Sequence, residues 1–136
     1  MAARRLRSAA RGKRDRRPPV AIGHVCFAAR NVPEAASWFE TVGLRPIASG
    51  DDFAVLELRG GTHLVLTKVA RRGRSGAEAP FDLMVDDLDA AHRDFAAKGL
   101  DPSRIRRGSI HDSFELPGPE GARFTVLSLH AGRRPV

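Results

Sequence analysis

A chain of 136 residues, 42% of them hydrophobic, is long enough for one domain with a real core and too short for two that fold alone. The single cysteine, Cys26, excludes an intramolecular disulfide, and no apolar run approaches the roughly 20 residues of a membrane span, so a cytoplasmic setting is expected. The net charge of +7 is local: the segment 1–19 holds eight of the 23 basic residues and one of the 16 acidic ones, which leaves 15 of each and a neutral remainder.

That leader carries Arg4, Arg5, Arg7, Arg11, Lys13, Arg14, Arg16 and Arg17 against Asp15 alone. It has neither hydrophobic periodicity nor the apolar centre of a secretory signal, which predicts a disordered extension over residues 1–19. An inert extension, a contact with nucleic acid or another polyanion, and an Arg-rich transit-like segment are the three readings open to it. With no Tyr and 6% aromatics, platforms for base stacking are scarce, so a nucleic-acid partner is expected only through the leader.

Residues 20–29 (VAIGHVCFAA) read as a first strand, apolar on both faces as a central strand would be, with His24 and Cys26 on one side. Asn31 is a good N-cap, with Glu34 at capping-box spacing and Pro33 tolerated in the first turn. Val32, Ala35, Ala36, Phe39 and Val42 make the buried stripe of the helix that follows, and Gly43 ends it. Three short strands are predicted next, over 45–49, 53–58 and 62–68, joined by hairpin connections at 50–52 and 59–61. Residues 69–80, rich in Gly, Arg and Ala without periodicity, read as a linker.

The pattern then restarts. Residues 81–85 are a strand, Asp87 an N-cap, and Leu88, Ala91, Phe95 and Leu100 a second helical stripe closed by Gly99. Asn31 and Asp87, Phe39 and Phe95, and Gly43 and Gly99 are all separated by the same offset, which marks an internal repeat. A strand over 104–108 is expected to follow. Residues 111–116 and 122–127 then alternate around Pro117-Gly-Pro-Glu-Gly121, a hairpin signal. On its first strand His111, Ser113 and Glu115 share one face and Phe114 and Leu116 the other, and on its second Phe124 and Val126 oppose Thr125 and Leu127. Gly61 and Val65 find their mates at Gly121 and Thr125, at a slightly longer offset. The fold class is therefore α+β: two βαβββ modules, 20–68 and 81–129, packed as curved mixed sheets around one cup-shaped cavity with helices outside, and a tail over 130–136.

Gly23-His-Val-Cys-Phe with Asn31-Val-Pro-Glu-Ala-Ala and Trp38-Phe39, Val85-Asp-Asp-Leu-Asp-Ala-Ala, and Asp112-Ser-Phe with Pro119-Glu-Gly121 together resemble the vicinal oxygen chelate superfamily. This group takes in glyoxalase I, extradiol dioxygenases, fosfomycin-resistance transferases and bleomycin-resistance proteins. The resemblance covers residues 20–129 and implies a homodimer. It also implies a divalent metal held by His and Glu from the first and last strands of each module. By the repeat offsets those positions are His24, Pro80, Val65 and Thr125. Only His24 is a good donor, and a site for Zn, Fe or Mn needs at least three. The expectation is a binder of a small organic molecule without a cofactor. The alternative is a metal-dependent lyase or an extradiol-dioxygenase-like enzyme with a relocated site formed by His24, His63, His111 and Glu115.

Alternation sends His24, Cys26 and His63 toward the cup from the first module, and Asp82, Met84, His111, Ser113, Glu115 and Thr125 from the second. These are the candidate ligand-binding residues. Bland readings stand beside them. Trp38 and Phe39 fit core or dimer-contact aromatics, Cys26 a small buried hydrophobe, and Arg104, Arg106 and Arg107 a charged edge strand as well as anion holders at the mouth. His92 and His130 are read as surface and tail residues without a role.

Overall fold

Asn31 opens the first helix as its position predicts: its Oδ1 accepts the Glu34 backbone N–H at 3.1 Å. The computed structural model describes residues 14–71 and 73–129. The expectations for residues 1–13, for the tail and for His130 lie outside that range. The chain runs β1 (His24–Ala29), α1 (Val32–Val42), β2 (Arg45–Ser49), β3 (Phe53–Glu57) and β4 (His63–Lys68). It then repeats as β5 (Leu83–Val85), α2 (Leu88–Ala97), β6 (Ser113–Pro117) and β7 (Arg123–Ser128). Asp87 caps α2 as Asn31 caps α1, its Oδ1 taking the Ala90 N–H at 3.0 Å.

In each module the first strand lies parallel to the last: β1 pairs with β4 and β5 with β7. One sheet has the order β1-β4-β3-β2 and the other β5-β7-β6. The hairpins β3–β4 and β6–β7 turn through matching one-turn 3-10 segments, Arg59–Gly61 and Pro119–Gly121. Both place their last two residues at positive φ, Gly60 and Gly61 at 82° and 83°, Glu120 and Gly121 at 60° and 69°. Glu120 holds this unfavourable conformation while its carboxylate accepts the Arg30 backbone N–H at 2.8 Å and an Arg30 Nε contact at 3.3 Å. The second module's hairpin is thereby latched to the end of β1.

The modules meet through an aromatic cluster. Phe27, Trp38 and Phe39 from the first pack on Phe81 and Phe124 from the second, with ring centroids 5.0 to 6.3 Å apart. Phe39 and Phe124 are fully buried, which makes Trp38 and Phe39 structural. The inward residues of every strand except the edge strand β2 feed the same core, among them Leu56, Leu64, Leu66, Phe114, Leu116 and Val126.

Four details differ from the sequence reading. Strand β1 begins only at His24 and is an edge strand with one open face. Val20 and Ile22, 82% and 65% exposed, precede the point at which β4 can pair, since the ladder starts with His63 N–H donating to the Gly23 carbonyl. Strand β5 is likewise shorter than expected, three residues. The strand expected over 104–108 reduces to one antiparallel bridge, Arg106 with Ser113, because Glu115 N–H donates to Ser103 Oγ instead of a backbone carbonyl. The described part of the linker is anchored: Gly76 N–H donates to Gly121, Ala79 N–H to Arg123 and Arg123 N–H to Ala77, which extends the line of β5 along β7.

Candidate functional site

Period-two alternation decides what each sheet shows to solvent. On the first sheet, Phe27, Leu64, Leu66, Ala54 and Leu56 turn inward. Their neighbours His24, Cys26, His63, Val65, Val55 and Glu57 form the opposite, open face. Across it runs one register row: His24 is the Cα partner of His63, His63 of Glu57, and Glu57 of Arg45. The two imidazoles stack at 5.8 Å with 19° between their planes. Arg45 donates through Nε to Glu57 Oε2 at 3.0 Å and adds an Nη2 contact to the same oxygen. These bonds hold the Glu57 carboxyl below the ordinary glutamate range, helped by the charges of Arg45 and His63. One row beyond, Cys26 pairs with Val65 and Val65 with Val55. Cys26 is exposed, so the reading of a buried small hydrophobe is corrected: its odd-numbered neighbours Phe27 and Val25 take the inward side.

On the second sheet the open face carries Met84, Leu127, Thr125, Ser113 and Glu115. Met84 is the Cα partner of Leu127, and Leu127 of Ser113. Glu115 is the partner of Thr125 and forms an ion pair with Arg123 Nε at 3.4 Å. Asp82 is exposed, just before β5. His111 lies before β6, not within it, and its Nδ1 donates to the Ser128 carbonyl at 2.8 Å. His92 is half-buried, its ring edge-on to Phe114 at 5.1 Å and its Nε2 donating to Ser103 O at 2.8 Å. It is a packing residue, contrary to the surface reading.

The structure therefore brings His24, Cys26 and His63 together and sets Met84, Ser113, Glu115 and Thr125 on the other sheet. The four residues of the relocated metal set do not converge: His24 and His63 lie on one sheet and Glu115 on the other, with His111 turned to the backbone of Ser128. Among the described residues no group of three or more His, Cys, Asp or Glu side chains is placed to hold a metal ion. At the positions the resemblance implies for the metal ligands, Val65 and Pro80 carry no donor side chain. Sequence reading misses Glu57 and Arg45. A signal existed, since a hairpin turning at 59–61 sets Glu57 opposite His63.

No protein-family model matches the sequence, and no curated protein sequence matches it. Solved structures do. A glyoxalase/bleomycin resistance protein/dioxygenase from Nocardioides superposes with a TM-score of 0.66 at 17% identity, over 88% of this chain and 89% of that one. Lactoylglutathione lyase from Agrobacterium tumefaciens gives 0.65 at 20% identity, over 82% and 96%. A glyoxalase/bleomycin resistance protein/dioxygenase from Alicyclobacillus acidocaldarius gives 0.64 at 22%, over 83% and 94%. The fold is that of the vicinal oxygen chelate superfamily, as the repeated motifs imply.

Proposed function

We propose that this protein is a glyoxalase/bleomycin-resistance-like binder of a small organic molecule, taken up on the open sheet faces without the superfamily's usual metal site. The observation that carries this reading is the side-chain chemistry at the matched positions, where His24 stands alone against Val65, Pro80 and Thr125, beside a stacked His24–His63 pair aligned with the Glu57–Arg45 ion pair. Such a face offers hydrogen bonds, charge and a flat π surface to a ligand and supports orientation. The same reading joins two copies in a homodimer, whose contact would cover two of the apolar side chains that one chain leaves open, Ile47 and Phe53, each 52% exposed.

The test combines a thermal-shift ligand screen, light scattering and metal analysis on untagged protein. A compound that raises Tm in the wild type and loses this effect in His24→Ala, with a dimeric mass, is the expected result. Near-stoichiometric Zn, Fe, Mn or Ni that falls in His24→Ala would overturn the reading and direct attention to lyase and dioxygenase substrates.

A further inference from the structure

The second sheet carries its own row across the strands, and that row is amphipathic. Met84 pairs with Leu127, Leu127 with Ser113, and Ser113 with Arg106 through the isolated antiparallel bridge. In this bridge Arg106 N–H donates to Ser113 O at 2.7 Å and Ser113 N–H donates to Arg106 O at 2.9 Å. Directly opposed residues of such a pair send their side chains to the same face. Arg106 thus shares the open face with Ser113, Leu127 and Met84, while Ile105 beside it packs on the core. Four positions across strands spaced about 4.8 Å apart span about 14 Å: a thioether and an aliphatic chain at one end, a hydroxyl in the middle, a guanidinium at the other end.

The charge on this row is uncompensated. On the first sheet the arginine ending the row, Arg45, is tied to Glu57 in the same row. Arg106 has no ion pair among the described residues. The nearby carboxylates are engaged elsewhere, Glu115 with Arg123 at 3.4 Å and Asp112 with Arg107 at 2.9 Å. Arg104, also exposed, adds positive charge close by in the chain.

We propose that this row selects an amphiphilic organic anion, with the carboxylate or phosphate end on Arg106 and Ser113 and the apolar body along Leu127 and Met84. The proposal rests on the reading that the domain binds a small organic molecule and names the ligand's chemical class. A guanidinium suits an oxyanion by its forked donors, and the adjacent apolar pair excludes water from the same ligand.

Methionine offers a direct probe, because Met84 and Met1 are the two in the chain. Full-length protein labelled with 13C-methyl methionine, its Met84 signal assigned through Met84→Leu, is titrated with sodium octanoate, octyl phosphate and octylammonium. Both anions should shift the Met84 methyl signal saturably and octylammonium should not. Arg106→Gln should weaken the anions at least tenfold and Arg106→Lys less, while Arg93→Gln, at an exposed position on α2, leaves them unchanged. The Arg106–Ser113 bridge is made by backbone atoms, so these variants keep it. An unmoved Met84 signal, equal effects of octylammonium and octanoate, or equal losses in Arg106→Gln and Arg93→Gln would overturn the proposal. If compounds from the screen still stabilise the protein in a His24-dependent way, the binding reading survives that failure; without such compounds both fall.

Discussion

Gly118 shows how one atom is constrained by the whole fold. A Cβ there would lie 2.5 and 2.6 Å from two ring carbons of Phe124 and 3.4 Å from Trp38, although its φ of −117° is open to any residue. Gly118→Ala should therefore destabilise by about 1–3 kcal/mol through overpacking, read by urea denaturation. Adding Phe124→Leu should return part of the loss, because the ring is the obstacle. The sequence marks 117–121 as a turn with glycines taking positive φ, and Gly121 does so. Glu120 adopts the other left-handed position because its carboxylate reaches Arg30, and Gly118 is needed for space. Neither reason is local, so neither is legible in the sequence.

At the scale of elements, Arg107 ties the first turn of α2 to the approach to β6. Its Nη2 meets Asp89 Oδ1 at 2.8 Å and its Nη1 meets Asp112 Oδ2 at 2.9 Å. Hydrogen bonds from Arg107 hold both carboxyls below the ordinary aspartate range. A depressed carboxylate contributes stability above its unfolded value and loses it as pH falls through the folded one. Wild type should therefore lose this contribution below about pH 4. Arg107→Gln should be the less stable protein at pH 7 and lose less on acidification, so that the two urea midpoints draw together at low pH. Equal pH dependence in the two proteins would refute the linkage. The sequence offers this arginine as an anion holder without naming its partners. Asp89 sits at a helix start and Asp112 in a loop, and only folding brings the two together around one guanidinium.

For the molecule as a whole, the aromatic cluster decides that two modules make one folding unit. Phe124→Ala should cost about 3–5 kcal/mol, and the wild type should unfold in one transition, with fluorescence of Trp38, the sole tryptophan, and far-UV circular dichroism coinciding. Two separated transitions would show modules that are stable alone. A module of a few short strands and a helix has too little interior to do without its mate.

The order of elements apart from the strand expected over 104–108, both helix caps, the repeat and the fold class follow from the sequence by itself, because apolar periodicity and capping chemistry act over a few residues and the same spacing occurs twice. Alternation likewise places His24 with Cys26 and Ser113 with Glu115, since neighbours on one strand share a face by covalent geometry. The tertiary structure alone decided which strands lie side by side. Register between strands sets the rows His24–His63–Glu57–Arg45 and Met84–Leu127–Ser113–Arg106, and the two-sheet arrangement leaves His24 and His63 together on one sheet, apart from Glu115 on the other. Register depends on hairpin turns, on the Ser103 hydroxyl that interrupts a ladder and on the burial of Phe124 between modules, all of which are contacts between residues distant in the chain.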